Sequence, residues 1–175
     1  MPSLLANGET LNYIEEGSGP AILFVHSLGA NSNMWRPVMA ALKERYRCIA
    51  IDCRGHGKTS YKGIFSVADV AADLNAALDQ LEIKRVHLVG ISMGGPIVLE
   101  MYAARPGRVA SLVMAGGFYD NRATSVERLA GAEQQMQGKT MLEFGREYAN
   151  SRLMAATPPT AYDELAAAVA MVTPK

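Results

Sequence analysis

The sequence has few cysteines, no excess charge of either sign and no long apolar run. Its two cysteines, Cys48 and Cys53, lie too close to one predicted strand to form a disulfide framework, which favours reduced thiols. Seventeen basic residues balance 17 acidic ones, so the net charge suggests neither nucleic acid nor an anionic membrane as a partner. No apolar run reaches the ~18 residues of a membrane span, and the N-terminus lacks a signal-peptide pattern. We therefore expect a cytoplasmic protein that binds neither nucleic acid nor membrane.

The composition is typical of a folded globular domain. Hydrophobic residues make up 49% of the chain and charged residues 19%, which argues against intrinsic disorder. A length of 175 residues suffices for one domain, or most of one, with its own core. The sequence carries no metal-ligand cluster and no cofactor motif, so we expect neither a metal nor a cofactor.

Strand patterns alternate with helix patterns up to residue 117. A hairpin is predicted over residues 3–16, because Asn7-Gly8 is a strong signal for a two-residue turn. Beyond it, buried strands are predicted at 21–25, 47–52, 85–91 and 109–115, and helices at 33–43, 67–81 and 93–104. This order predicts an α/β fold with a mostly parallel, doubly wound sheet and right-handed crossovers.

Two of these helices carry apolar stripes. The first has Met34, Val38, Ala41 and Leu42 at helical spacing. The second is predicted to begin at Ser66, with Asp69 completing a capping box. Its stripe consists of Val67, Val70, Ala71, Leu74, Leu78 and Leu81.

The character of the chain changes after Gly117. We divide it into a core over 1–117 and a helical cap over 118–175, with helices near 124–136, 139–150 and 161–172 and a break at Thr157-Pro158-Pro159. Four residues of this segment are able to line a substrate cleft, although methionine at helical spacing more often reflects simple packing. They are Met136, Met141, Leu142 and Phe144.

The most informative stretch is the apolar run Val86–Val89 that leads into Gly90-x-Ser92-x-Gly94. A helical pattern follows at once, so the order is strand, sharp turn, helix, which is the order a nucleophile elbow needs. The alternative is a glycine-rich turn with an incidental serine. Asp52 and the loop 26–29 also follow predicted parallel strands, and the carboxyl ends of such strands are where ligands bind in open α/β sheets.

Residues 21–117 resemble the N-terminal portion of the α/β-hydrolase fold superfamily. Among its members the chain resembles 3-oxoadipate enol-lactonases, small carboxylesterases and cofactor-free haloperoxidase-type hydrolases. The resemblance is carried by Phe24-Val25-His26-Ser27-Leu28-Gly29, by Trp35, by Asp52-Cys53-Arg54-Gly55-His56-Gly57 with Ser60, and by Gly90-Ile91-Ser92-Met93-Gly94-Gly95.

The resemblance implies a serine hydrolase that acts on a small-molecule ester or lactone. Ser92 would be the nucleophile, and the backbone N–H groups of Leu28 and Met93 would form the oxyanion hole. Five further residues would be structural and lie near the site: His26, Asp52, His56, Gly90 and Gly94. We interpret His87 as structural, and Asp52 with Arg54 as a structural pair.

The chain departs from the family pattern in one respect. The triad of this fold runs in the order Ser, then Asp or Glu, then His, and no histidine follows His87. Our hypothesis is that the sheet is truncated before its last strands and that the triad acid and histidine lie beyond the chain end. This chain alone would then have little activity. A natural truncation, a fragment and one half of a split enzyme would all fit this departure from the family pattern. The acids Glu143, Glu147, Asp163 and Glu164 receive no role.

Such a chain would leave the strand 109–115 as a sheet edge, so we expect self-association, domain swapping or a complementing C-terminal segment. The alternative function is a catalytically inactive α/β-hydrolase-like module that binds a small ligand or a partner chain. A nucleotide-binding fold is disfavoured, because no G-x-G-x-x-G follows the first strand–helix unit.

Overall fold

The computed structural model describes residues 2–59, 61, 63–117, 131, 134–152, 157 and 159–171. Six strands form one sheet in the order β1-β2-β4-β3-β5-β6. They are β1 (Ser3–Ala6), β2 (Glu9–Glu16), β3 (Ala21–Val25), β4 (Arg47–Ile51), β5 (Val86–Ile91) and β6 (Val109–Ala115). The helices are α1 (Arg36–Leu42), α2 (Val67–Gln80), α3 (Gly94–Ala104), α4 (Met141–Arg152) and α5 (Pro159–Ala170), with 3₁₀ turns at Ser32–Trp35 and Pro106–Arg108.

The sheet has the predicted α/β character. Strands β4, β3, β5 and β6 are parallel neighbours, whereas β1 and β2 pair antiparallel at one end. The predicted hairpin is confirmed: Asn7 and Gly8 both have positive φ (50° and 84°), as a two-residue turn between right-twisted strands requires.

Strand β3 lies at the centre and is covered on both faces, which explains its continuous apolar run. Leu23 and Val25 belong to the cluster that packs on α2 and α3. Ile22 and Phe24 point to the opposite face, where Trp35 and Met39 cover them. The doubly wound arrangement is therefore confirmed.

The apolar stripe predicted for the first helix is confirmed only at Leu42, which is half-buried and packs against the core. Met34 and Val38 are 37% and 41% exposed and Ala41 is exposed, whereas Met39 is fully buried and Trp35 is 7% exposed. The segment begins as a 3₁₀ turn with Asn31 as its N-cap and becomes α-helical only at Arg36. A 3₁₀ turn has three residues per turn, so the buried face is shifted from the one that a continuous α-helix would give.

The second helix follows its prediction closely. The side chain of Ser66 accepts a hydrogen bond from the backbone N–H of Asp69, and the carboxylate of Asp69 accepts one from the backbone N–H of Ser66, so the capping box is confirmed. Four stripe residues are buried, namely Val70, Ala71, Leu74 and Leu78. Val67 in the first turn is 38% exposed, and Leu81 at the C-cap is half-buried.

Strand β6 is the outermost strand on its side of the described sheet. The prediction that it is buried was wrong. Val113 is 52% exposed, Ser111 and Ala115 are exposed, and the remaining residues are half-buried. The reason is its place at the edge, where one face and one row of backbone groups lack a neighbour within the described part of the chain.

Helices α4 and α5 confirm two of the three helices predicted in the cap, with bounds shifted by a few residues. Most of the predicted helix 124–136 lies outside the described residues, as does Ser60. The two helices pack chiefly on each other. Among the helices that the structure describes, none is long and apolar enough to cross a membrane.

Candidate active site

Ser92 lies on a strained turn between β5 and α3. Its φ of +50° falls in the left-handed region that non-glycine residues rarely adopt. The backbone N–H of Ser92 donates to the carbonyl oxygen of Ala115 at the end of β6 (3.0 Å), and its own carbonyl accepts from the N–H of Gly95 (2.9 Å). Both sides of the turn are thus fixed, which keeps a strained backbone in place.

The two flanking glycines are required by close approach of the backbone. A Cβ atom added to Gly90 would collide with the carbonyl oxygen of Gly94 and lie 2.9 Å from the nitrogen of Gly95. A Cβ atom added to Gly94 would collide with the carbonyl oxygen of Val25 and lie 3.2 Å from that of His26. The start of α3 therefore packs directly on the end of β3, next to the loop 26–29.

Met93 is the N-cap residue of α3 and makes no side-chain capping bond. The first N–H groups of a helix have no partner within the helix and carry its positive dipole end. The N–H of Met93 therefore lies in a stretch of backbone that favours a negative charge.

The loop after β3 forms a tight turn over Ser27–Ala30. The N–H of Ala30 donates to the carbonyl oxygen of Ser27 (3.1 Å), and Gly29 at the third position has a φ of +75°, as a type II turn requires. Gly29 is buried, whereas the side chain of Leu28 is 57% exposed. The hydrogen bond that closes the turn does not use the N–H of Leu28.

His26 is fully buried and uses both ring nitrogens within the loops. Its Nδ1 donates to the carbonyl oxygen of Ser27 (2.8 Å), and its Nε2 accepts from the N–H of Cys53 (3.0 Å). Burial lowers the pKa of His26 to about 4, and the neighbouring His56 adds to the effect. His26 is therefore neutral at pH 7 and joins the loop after β3 to the loop after β4.

His56 is 2% exposed, and its ring lies against that of His26, with centroids 5.0 Å apart and the planes tilted by 51°. Its Nδ1 donates to the carbonyl oxygen of Arg54 (2.9 Å), while its buried Nε2 has no hydrogen-bond partner among the described residues. Burial lowers the pKa of His56 as well.

Asp52 holds two loops through backbone N–H groups. Its Oδ1 accepts from Ser32 (2.8 Å) and its Oδ2 from Lys58 (2.9 Å). The predicted pairing of Asp52 with Arg54 was wrong: the guanidinium of Arg54 forms two hydrogen bonds with the carboxylate of Asp73 on α2. The reason is that both oxygens of Asp52 already accept backbone N–H groups, whereas Asp73 presents a buried carboxylate.

His87 lies near the start of β5, away from Ser92. Ser92 follows His87 by five positions along an extended strand, which corresponds to a distance of about 16 Å. The Nδ1 of His87 hydrogen-bonds to Oγ of Ser111 (2.8 Å). Across the described residues, the hydroxyl of Ser92 has no hydrogen bond to any histidine.

The order of the strands and the glycine contacts at the elbow agree with a comparison against family models. The model of the alpha/beta hydrolase fold matches residues 20–170. The chain belongs to the α/β-hydrolase fold family. A curated relative, 3-oxoadipate enol-lactonase 1 from Acinetobacter baylyi, is 37% identical over 110 residues, which are 62% of this chain and 41% of the relative.

Solved α/β-hydrolase structures superpose on nearly the whole chain. An esterase from Exiguobacterium antarcticum has a TM-score of 0.84 and 25% identity, covering 96% of this chain and 66% of its own. The enol-lactonase from Burkholderia xenovorans LB400 also has a TM-score of 0.84, at 24% identity, covering 98% of this chain and 68% of its own. At 24% identity, the likeness to the enol-lactonase structure shows a shared fold and no more. The aligned part of the chain spans less than half the length of the curated relatives.

Within this α/β-hydrolase fold, the sequence-predicted site residues divide into two groups. Gly94 packs on the end of β3 and so brings Ser92 and Met93 next to the loop that carries Leu28. His26, His56 and Asp52 lie together behind that loop and hold it.

Helices α4 and α5 contribute residues that the sequence did not single out. Cγ2 of Val169 and Cε1 of Tyr148 lie 3.0 and 3.9 Å from the position that a Cβ atom on Gly29 would occupy. No local pattern signals this contact.

A missed signal was Thr140-x-x-Glu143, which forms a capping box at the start of α4, with the N–H of Thr140 donating to Glu143 (2.8 Å).

The residues predicted to line a cleft, and two of the acids named with them, have the following surroundings. The Thr140 bonds lower the pKa of Glu143, and Glu147 pairs with Lys139 at 2.6 Å. Leu142 is 44% exposed, and Phe144 lies 6.2 Å from the ring of Tyr148. Met136 and Met141 are half-buried. Among the described residues, no group of His, Cys, Asp or Glu could hold a metal ion.

Proposed function

We propose that this chain carries the nucleophile and the oxyanion hole of an esterase or lactonase for small-molecule substrates. The observation that supports it most is the left-handed φ of +50° at Ser92, between two glycines that admit no side chain. Strain of this kind persists where the surrounding structure holds it, and it clusters at active sites. The lactonase and esterase names among the relatives support the same reaction class.

The proposed reaction begins with attack of Ser92 Oγ on the acyl carbonyl carbon. The Oγ–H proton passes to a base, the Oγ–C bond forms, and the carbonyl oxygen becomes an oxyanion. The N–H groups of Leu28 and Met93 stabilise that charge, and one such donor contributes on the order of 10²–10³ in rate. The leaving oxygen then takes a proton and departs, and water hydrolyses the acyl-enzyme. Both donors belong to the main chain, so the side chains at 28 and 93 need only be apolar.

We propose that the base comes from outside these 175 residues, because none of the three histidines suits the role. His26 has both ring nitrogens in hydrogen bonds, His56 is 2% exposed, and His87 lies at the far end of β5. A serine hydroxyl without a base is a weak nucleophile at neutral pH. The chain alone is therefore expected to be acylated only slowly, by an activated ester with water or buffer accepting the proton, and hardly to turn over. A cap over 118–175 on a core over 1–117 is part of the same proposal.

The test is the reaction of the purified chain with p-nitrophenyl acetate, beside Ser92→Ala. We expect one burst of p-nitrophenol, an acetyl group located on Ser92 by mass spectrometry, and no burst from the variant. Ser18→Ala, in an exposed loop, is the matched control and keeps the burst. A burst that survives in Ser92→Ala, or its absence from the unmodified chain, would contradict the nucleophile; serine-dependent turnover would contradict an external base.

We further propose that the edge of β6 pairs with another segment, either a second copy, a swapped element or a complementing C-terminal piece. Val113 is 52% exposed, and Val89 lies opposite it on the same face. In sedimentation we expect a dimer or larger species that Val113→Lys converts to monomer, while Ile64→Lys, at a residue 82% exposed in a loop, does not. A monomer at all concentrations would rule out a second copy and a swapped element, and would leave a complementing C-terminal piece as the partner.

Two buried free thiols, Cys48 and Cys53, support a reducing compartment such as the cytoplasm.

A further inference from the structure

Val169 of α5 is packed between two glycines from different parts of the chain. A Cβ atom on Gly29 would lie 3.0 Å from Cγ2 of Val169, and a Cβ atom on Gly145 would lie 3.2 Å from Cβ of Val169. Val169 is only 2% exposed. Its side chain therefore fills the space between the turn after β3 and helix α4.

The two cap helices form one closely packed unit behind Val169. A Cβ atom on Gly145 would lie 2.5 Å from the carbonyl oxygen of Ala166, so α4 and α5 approach at backbone distance. Ala149 and Ala166 are buried in this contact. Tyr148 of α4 also approaches Gly29, with Cε1 3.9 Å from the same Cβ position. Both cap helices thus meet the turn at one residue.

Gly29 is the third residue of the turn over Ser27–Ala30, directly after Leu28. Because Gly29 follows Leu28 within this hydrogen-bonded turn, its position constrains the backbone of Leu28 and thereby the direction of the Leu28 N–H group. An oxyanion donor is effective only at about 2.7–3.1 Å from the developing charge, so a shift of a few tenths of an ångström at Gly29 changes its contribution.

We propose that Val169 is a positioning residue of the oxyanion hole: wedged between Gly29 and Gly145, it holds the turn so that the N–H of Leu28 faces the substrate carbonyl. The inference rests on the proposed function of Ser92. Neither glycine has a side chain that could fill the space left by a smaller residue, so truncation of Val169 leaves the turn without support on this side. Helix α5 would thereby influence the acylation step.

Hydrogen exchange tests the contact without relying on activity. In Val169→Ala we expect the amides of residues 28–30 to exchange about tenfold faster, because the turn loses its packing partner. The matched control is Val38→Ala, whose side chain is 41% exposed on α1 and which leaves this exchange unchanged. Equal exchange in Val169→Ala and the unmodified chain would overturn the proposal.

The acylation burst tests the consequence. Val169→Ala is expected to lower the acylation rate constant about tenfold with little change in the half-saturating concentration of p-nitrophenyl acetate, since the affected donor acts on the transition state. A merely structural role would lower the amount of active protein and leave the rate constant of the remaining fraction unchanged.

A size exchange completes the test. Gly29→Ala places a methyl group against Val169 on a backbone with a φ of +75°, so it slows acylation through both the contact and backbone strain. Adding Val169→Ala relieves the contact and restores part of the rate. Gly145→Ala with Val169→Ala is the matched control and gains nothing, because the new methyl meets the backbone of Ala166. Equal recovery in both pairs would overturn the proposal.

The two proposals fail in different ways. If the unmodified chain has no burst that depends on Ser92, the proposed function fails, while hydrogen exchange still decides whether Val169 holds the turn. If the burst is present and Val169→Ala changes neither the exchange nor the rate constant, only the positioning role fails.

Discussion

Nε2 of His26 accepts a hydrogen bond from the backbone N–H of Cys53 (3.0 Å), while Nδ1 of the same ring donates to the carbonyl oxygen of Ser27 (2.8 Å). This arrangement requires a neutral ring, because a protonated Nε2 cannot accept. The ring is fully buried and faces His56 at 5.0 Å. The geometry of the turn that carries Leu28 therefore depends on the protonation state of a residue behind it.

Stability is expected to fall as the pH is lowered towards 5. The pKa of His26 is about 4 in the folded chain, against 6.5 for a histidine side chain exposed to water, so between these values the unfolded state binds more protons. The contribution of the neutral His26 ring to the free energy of unfolding is fully present above pH 6.5 and is lost as the pH falls towards 4. His56, whose pKa is also lowered, acts in the same direction. From pH 7 to 5 the free energy of unfolding, measured with urea, should drop by about 2 kcal/mol from His26.

His26→Gln is the control for this pH dependence. It removes the titrating group, so the free energy of unfolding of the variant should change less between pH 7 and 5 than that of the unmodified chain. Equal slopes in the two proteins would mean that His26 is not the group responsible.

The buried pair of Arg54 and Asp73 should contribute strongly to stability. Their side chains are 12% and 1% exposed, and Asp73 also accepts a hydrogen bond from Nδ2 of Asn7 (3.2 Å). Arg54→Met leaves a buried carboxylate without its cation and should lower the free energy of unfolding by roughly 3 kcal/mol. Arg36→Met, at a pair with Glu16 whose arginine is 51% exposed, should cost less than about 1 kcal/mol. Equal losses in urea unfolding would contradict the role assigned to burial.

The elements that the sequence predicted well are those whose signals are local. The turn at Asn7-Gly8, the capping box of Ser66 and Asp69, and the apolar run of β3 each specify structure within a few residues. The elbow belongs to this group too, because a serine that follows a buried strand, with one glycine two positions before it and one two positions after it, predicts a turn in which backbones approach closely.

The predictions that failed, or could not be made, concern contacts between distant parts of the chain. Arg54 has two candidate carboxylates, and only the fold brings Asp73 of α2 to it. The contact of Val169 with Gly29 joins the cap to the turn after β3 through small residues that follow no periodic pattern. The buried face of α1 was misassigned because a preceding 3₁₀ turn shifts its phase.

Gly94 should tolerate no side chain, for steric reasons alone. A Cβ atom there would collide with the carbonyl oxygen of Val25, a buried backbone group that cannot move aside. We expect Gly94→Ala to lower the free energy of unfolding by about 3 kcal/mol. Gly107→Ala, where a Cβ atom would meet nothing within 4 Å, should change it by less than about 0.5 kcal/mol. A similar small effect of both substitutions in thermal or urea unfolding would mean that α3 does not begin against the end of β3.

The left-handed backbone of Ser92 should cost stability that glycine recovers. At a φ of +50° glycine avoids the clash of a Cβ atom, although it also gives the unfolded chain more freedom, so Ser92→Gly should be more stable than Ser92→Ala by about 1 kcal/mol in urea unfolding. Glu82→Gly, at a φ of +57° in an exposed turn, provides a comparison in which function plays no part. Neither variant of Ser92 should give a burst with p-nitrophenyl acetate. Equal stability of Ser92→Gly and Ser92→Ala, with a gain in Glu82→Gly, would mean that the elbow relaxes when the hydroxyl is removed.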